Sequence, residues 1–271
     1  MMNSNGKFEE YLLKSRKDLK TVNAYGTDVR LFLEYIKIPL EVIDYIHIEK
    51  YKSYLFNNGY KISSINRKMV ALNVFMKYNG KNIEINQEKF QLQSFQDNVI
   101  ESEELFKIIE QAKIRNDYRA KALLYTMYYT GMRISETLQL TVFNIEQDTI
   151  LIKGKGRKYR NVFIPNKLKA IWKEYMNFRI NKGDKLFTGE RGSITRETSN
   201  KIFKKYARLS GIDVKKAHNH NLRHLYCRKM ISMNVDISTL ADLVGHSDIN
   251  ITRKYLIKSK KELLDIINSL D

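Results

Sequence analysis

"DTILIKGKGRKYRNVFIP", residues 148–165, carries the clearest alternation of apolar residues in the chain. Ile150 and Ile152 precede a Gly154-Lys155-Gly156 turn, and Val162 and Ile164 follow it at the same period of two. That pattern is a β-hairpin, with glycines permitting the tight turn and Lys155 at the apex of a basic tip. The residues on both sides of it repeat at helical spacing instead. A single clear hairpin set among helices predicts a mainly α protein with one small sheet.

Upstream, four short amphipathic helices are expected. Phe8, Tyr11, Leu12 and Ser15 share one helical face, and Val22, Tyr25, Val29 and Leu33 (or Phe32) share another. A third helix carries Ile48, Tyr51 and Leu55 and stops at Gly59. A fourth carries Ile62, Ile65, Met69, Leu72 and Met76 and stops at Gly80. These make a small all-α domain over residues 1–90, with Lys14, Arg16, Lys17, Lys20, Arg67 and Lys68 assigned to its exposed faces. The stretch 81–100 has no strong period, and residues 91–100 are assigned as a linker. A second domain, 101–271, opens at "ESEELFKIIEQA" with Ser102 as the helix N-cap. "AKALLYTMYYTGMRISETLQL" then reads as a buried helix broken at Gly131, followed by another. Beyond the hairpin everything reads as helical.

The chain has 271 residues and 43% hydrophobic content, enough for one large or two moderate packed domains. Its net charge is +18. Residues 1–95 contribute +5 (15 basic, 10 acidic) and the rest +13 (33 basic, 20 acidic), so both halves are basic. A polyanion is the natural partner of such a chain, because phosphates neutralised by Lys and Arg release condensed counterions. No apolar run approaches the ~20 residues of a membrane span, and the N-terminus lacks a signal-peptide core. Cys227 is the single cysteine, which points to a reducing, cytoplasmic location.

Three further stretches carry chemistry. "HNHNLRHLYCRK", residues 218–229, puts His220 and His224 four apart on a helix with Arg223 beside them. A zinc site wants neutral imidazoles and a carboxylate, but Arg223 is a fixed cation and no acid lies between Asp213 and Asp236. A phosphate suits the set better: a guanidinium fork for two oxygens, with imidazole N–H groups as extra donors. Ordinary core or surface histidines remain the alternative. In "YYTGMRISE", residues 128–136, Gly131 places Arg133 at a helix start, and Glu136 is spaced to hold its side chain. Tyr128, Met132, Ile134 and Leu138 around it suggest a buried arginine rather than a surface ion pair. In "LADLVGHSDINITRKYL", residues 240–256, Gly245 reads as a helix end, so His246 lies at a corner and Tyr255 about two turns into the next helix. The hairpin is not a nucleotide loop, because G-x-x-x-x-G-K-[ST] is absent.

In order, these blocks are Gly-x-Arg-x-x-Glu, a Gly-Lys-Gly hairpin, His-x-x-Arg-His, and Gly-His-Ser-Asp with a tyrosine nine residues after its histidine. The series resembles the tyrosine recombinases, the family of phage integrases and Xer-type recombinases. By motif the resemblance spans about residues 100–260, and by layout it extends to the N-terminal helices. It implies a core-DNA-binding, clamp-like domain over 1–90 and a catalytic domain over 101–271. It carries the catalytic roles to Arg133, Lys155, His220, Arg223 and His246, with Tyr255 as nucleophile and Glu136 and His224 in support. His218 matches nothing in the family pattern. Asn219 stands where relatives often have proline, and Val244 where they often have leucine.

The implied activity is site-specific recombination of double-stranded DNA through a 3′-phosphotyrosine intermediate and a Holliday junction, with no metal, nucleotide or other cofactor. The implied assembly is a homotetramer on paired sites, or one shared with a related recombinase, in which helix 258–271 docks on a neighbouring subunit. At 271 residues, no third, arm-binding domain is expected ahead of the helices, which favours a simple recombinase, such as a resolution enzyme of a chromosome, plasmid or transposon, over a phage integrase needing accessory arm sites. A type IB topoisomerase and an inactive DNA-binding regulator on the same fold stay open as alternatives.

Overall fold

The structure is a computed structural model that describes residues 2–88, 98–154, 158–180, 183–245, 252, 264 and 267–269. The chain divides into two compact units, residues 1–92 and 93–271.

The first unit is built from α1 (Met2–Lys14), α2 (Leu19–Ile36), α3 (Tyr45–Asn57) and α4 (Ile62–Tyr78), with a 3-10 turn at Leu40–Val42. Asp18 caps α2 by accepting from the Thr21 N–H at 2.8 Å, and Asp44 caps α3 through the His47 N–H. Gly59 and Gly80 sit just past α3 and α4 with φ of +73° and +72°, the left-handed turn that glycine adopts without strain. The apolar stripes meet in one core of Phe8, Leu12, Val29, Phe32, Ile48, Leu55, Met69 and Leu72. At ~1.5–3 kcal/mol per buried large side chain, this stripe-to-stripe packing is what holds four short helices together. Of the two candidates on α2, Phe32 faces the core. Residues 81–88 belong to this unit as well. The Asn66 side chain brackets the Glu88 backbone with two 2.9 Å hydrogen bonds, and Lys81 Nζ donates to the carbonyls of Glu41 and Ile43. Lys68 departs from its expected exposed position. It is buried and bonds Asp28 at 2.9 Å, with Arg67 on the same carboxylate.

The second unit begins with α5 (Ser102–Ile114), α6 (Tyr118–Thr130) and α7 (Ile134–Thr137). The cap of α5 is Glu101, not Ser102; the Glu101 N–H donates to the Glu104 carboxylate at 3.0 Å. Helix α6 is the hub, with Ala120, Leu123, Leu124 and Met127 buried on several sides. The helix after Gly131 is one turn only, because a 3-10 turn at Val142–Asn144 leads directly into the hairpin. Strands β1 (Thr149–Lys153) and β2 (Tyr159–Phe163) pair antiparallel, with Ile150 opposite Val162 and Ile152 opposite Arg160. Helix α8 (Asn166–Met176) then packs on α6, where Trp172 Nε1 donates to Thr126 Oγ1 at 2.8 Å. The expectation of helix alone beyond the hairpin is corrected by a second tiny antiparallel pair, β3 (Thr188–Gly189) with β4 (Gly192–Ser193). Helices α9 (Arg196–Leu209), α10 (Asn219–Ser232) and α11 (Ile237–Val244) complete the described fold. Among the described residues, no helix is long and apolar enough to cross a membrane.

Candidate active site

The site is organised around two adjacent helix ends. Helix α6 terminates because Gly131 takes a left-handed φ of +59°, its N–H returning to the Met127 carbonyl at 3.0 Å. A Cβ on Gly131 would lie 2.3 Å from Tyr226 Cδ1, so glycine is required both by conformation and by the neighbouring α10 side chain. Two residues on, Arg133 is the N-cap of α7. Its N–H donates to Glu136 Oε2 at 3.0 Å, and its Nη1 donates to Oε1 at 2.9 Å. The local pairing expected between Arg133 and Glu136 is therefore present. The burial is distributed otherwise: the Glu136 side chain is 1% exposed, while that of Arg133 is 30% exposed. The carboxylate is the buried member, and the guanidinium reaches toward water.

Helix α10 supplies the other half. Arg223 is almost fully buried, and its fork spans two carbonyls, Nη1 to Gly131 at 2.8 Å and Nη2 to Val244 at 2.6 Å. It thus joins the end of α6, two residues before Arg133, to the end of α11, two residues before His246. These bonds take two of its five N–H groups. His220 lies one turn before His224 on α10, and their rings meet edge to face with centroids 4.4 Å apart. His220 is exposed as a residue, yet its pKa is lowered. Shielding from water is the largest cause, followed by the positive charges of Arg223, His218, Arg133 and Arg196. Burial, and then the neighbouring His220 and His218, press His224 further, to about 3. Both imidazoles are thus held neutral, the form in which a ring nitrogen can accept a proton. His218 is the N-cap residue of α10.

The two departures from the family pattern have structural uses. Asn219 is buried, and its side chain accepts from Ser199 Oγ at 3.0 Å, tying α10 to α9. Val244 is fully buried in α11 and presents the carbonyl that Arg223 grips. Among the described residues, no three metal-ligating side chains come together.

One site residue carries no motif signal. Arg160, on β2, sends Nη2 to Glu136 Oε2 at 2.9 Å and Nη1 to the Leu243 carbonyl at 2.5 Å, and its side chain is 9% exposed. Sequence reasoning by motif misses it; strand parity could have found it, because position 160 shares the inward face with Val162 and Ile164. Burial raises the Glu136 pKa, but the Arg160 charge and the hydrogen bonds from Arg133 and Arg160 outweigh it, and the net shift is downward. The carboxylate therefore stays ionised between two guanidinium groups. Lys155, His246, Tyr255 and most of 258–271 lie outside the described residues, as does most of the linker 91–100.

Residues 98–262 match the model of the phage integrase family, and residues 6–80 match that of its N-terminal SAM-like domain. The chain belongs to the phage integrase family. It is a tyrosine recombinase, of the enzyme class that cuts and rejoins DNA strands. A tyrosine recombinase of Agathobacter rectalis is 31% identical, over 96% of this chain and 92% of its own. Tyrosine recombinase XerC of Pediococcus pentosaceus is 29% identical, over 94% and 93%. Among solved structures, XerH site-specific recombinase bound to its difH substrate before cleavage superposes with a TM-score of 0.73. It is 25% identical and covers 98% of this chain and 85% of that one. The family matches fall on both units of the chain, not on the second alone.

Proposed function

We propose that this recombinase exchanges strands between specific double-stranded DNA sites through a covalent link at Tyr255. The Tyr255 oxygen attacks the scissile phosphorus, a Tyr–O–P bond forms, and the P–O5′ bond breaks. This leaves a 3′-phosphotyrosyl strand and a 5′-hydroxyl. The tyrosine proton passes to neutral His220, and the Lys155 ammonium protonates the departing 5′-oxygen. Arg133 and Arg223 stabilise the charge that grows on the non-bridging oxygens, with His246 adding a hydrogen bond. Glu136 and His224 hold this set in place. Rejoining to a partner strand runs the same steps in reverse, which gives a Holliday junction after the first exchange.

The observation that carries this reading is the convergence around His220. Arg223 follows His220 by three residues on α10 and bonds the Gly131 carbonyl at 2.8 Å, two residues before Arg133, so one corner carries both guanidinium groups and the imidazole. Two duplexes cut in this way need four active sites, so the assembly is a tetramer on DNA, made of this chain or shared with a related recombinase. Segment 258–271, with Leu263, Leu264, Ile267 and Leu270, is the stretch proposed to dock on the neighbour. The 1–90 domain and the 101–271 domain would each grip the duplex, mostly through phosphates, in keeping with positive charge in both halves.

The test is a nicked suicide duplex carrying a site selected by the protein from a randomised pool. Wild type should form a covalent adduct, Tyr255→Phe none, and paired sites should yield joined products. Equal adduct from both proteins would remove Tyr255 as nucleophile. Adduct without joined products would mark a topoisomerase-like enzyme, and binding without adduct an inactive regulator.

A further inference from the structure

Arg160 is a charged side chain at an inward strand position, directly opposite the apolar Ile152. An arginine withdrawn from water in this way must be compensated, and its two contacts show what it connects. One end holds Glu136, the carboxylate that also takes both the N–H and the Nη1 of Arg133. The other end holds the Leu243 carbonyl, in the last turn of α11. Its aliphatic stem lies against Gly245, where a Cβ would come within 2.4 Å of Arg160 Cδ. Gly245 also needs its left-handed φ of +68° to end the helix. The same carboxylate lies near the hairpin base, 3.5 Å from where a Cβ on Gly154 would be. One guanidinium thus joins the hairpin, the Arg133–Glu136 pair and the turn that ends α11.

We propose that Arg160 is a positioning residue for the recombination reaction, acting on the scissile phosphate only through Glu136 and Arg133. Without it, Glu136 keeps one cationic neighbour instead of two, and its carboxylate is tied only to Arg133 itself, with no anchor on the hairpin or on α11. Arg133, 30% exposed, is then paired with a carboxylate that can shift with it instead of one held in place from β2. Misplacing a catalytic group by about 1 Å can cost ~10²-fold in rate. Lysine at 160 would keep the charge. With one ammonium in place of a fork, it could not bridge carboxylate and carbonyl in the same geometry.

This inference rests on the assignment of Arg133 to the phosphate, and the experiment separates the two. Wild type, R133A, R160K, R160A and R133A/R160A are compared for adduct formation on the selected nicked duplex. The scissile position carries either phosphate or uncharged methylphosphonate. Gel-shift affinity and thermal melting identify the variants that are folded and bind. On phosphate, R160K and R160A should be slowed by up to ~10²-fold, with the double variant no slower than R133A alone. On methylphosphonate, which removes the charge that Arg133 serves, the deficits of R133A and of both Arg160 variants should shrink together. If R160A fails to fold, R160K decides. R160K at the wild-type rate, a deficit equal on both backbones, or an additive double variant would each overturn the role of Arg160. R133A at the wild-type rate on phosphate would instead overturn the reading of the site itself.

Discussion

Replacing Arg223 with alanine should damage folding as well as catalysis, because its guanidinium is a structural bolt. It donates at 2.8 Å to Gly131 and at 2.6 Å to Val244, and the side chain is almost wholly buried. Hydrogen bonds from a charged donor contribute about 1.5–3 kcal/mol each, so the pair is worth ~3–6 kcal/mol before relaxation. Water entering the space left by the side chain would solvate part of the two carbonyls, which brings the expected loss to ~2–4 kcal/mol. That is a large share of the ~5–15 kcal/mol that stabilises a domain. Trp172 is the chain's only tryptophan and is buried in α8, so its fluorescence in a urea titration reports on the second unit selectively. R223A should shift that transition strongly to lower urea. R133A should move it by only about 1 kcal/mol, because its guanidinium is partly solvated and Glu136 keeps Arg160. Both variants should lose adduct formation, on the order of 10²–10³-fold for one lost transition-state donor. An R223A transition that coincides with wild type would refute the structural half of this reasoning, whatever happened to activity.

Gly131→Ala should cost on the order of 3 kcal/mol, combining ~1–2 kcal/mol for a left-handed alanine with overlap on Tyr226. In a double-mutant urea series, Tyr226→Ala should relieve the overlap but not the backbone strain, so additive losses would contradict the packing described here. Stability of the second unit should fall as pH drops from about 6.5 toward 3, since the unfolded chain takes up protons that the neutral native His224 refuses. By pH 5 the loss is at most ~2 kcal/mol, and His224→Gln should flatten that part of the profile; an unchanged slope would exclude His224 as its source. Asp28→Asn strands the buried Lys68 ammonium and should destabilise the first unit by ~3–5 kcal/mol in calorimetry, whereas Arg67→Ala, on an exposed partner, should do little.

The features legible in the amino-acid sequence are those that depend on nearby residues. Helix stripes such as Ile65, Met69 and Leu72, the glycine stops at 59, 80 and 131, and the three-residue step from Arg133 to Glu136 are all local relations. Local geometry fixes their outcome. Polarity alone misplaces Lys68, because it says nothing about Asp28, forty residues away. It assigns the burial at the Arg133 corner to the wrong partner for a related reason. A long arginine can extend its charge toward water, while a short glutamate at a buried position cannot. The motif identifies Arg223 but not its grip on Gly131 and Val244, since a carbonyl acceptor leaves no mark in a sequence. Arg160 is the instructive case. An arginine on the same strand face as Val162 and Ile164 contradicts a purely apolar hairpin underside unless a carboxylate lies beneath it. Glu136 is that carboxylate. A charged residue that violates the alternation of its own strand is therefore best matched with the acids that the motifs already place at the site. Applied to residues 148–165, that rule joins the hairpin to the Arg133 corner from sequence alone.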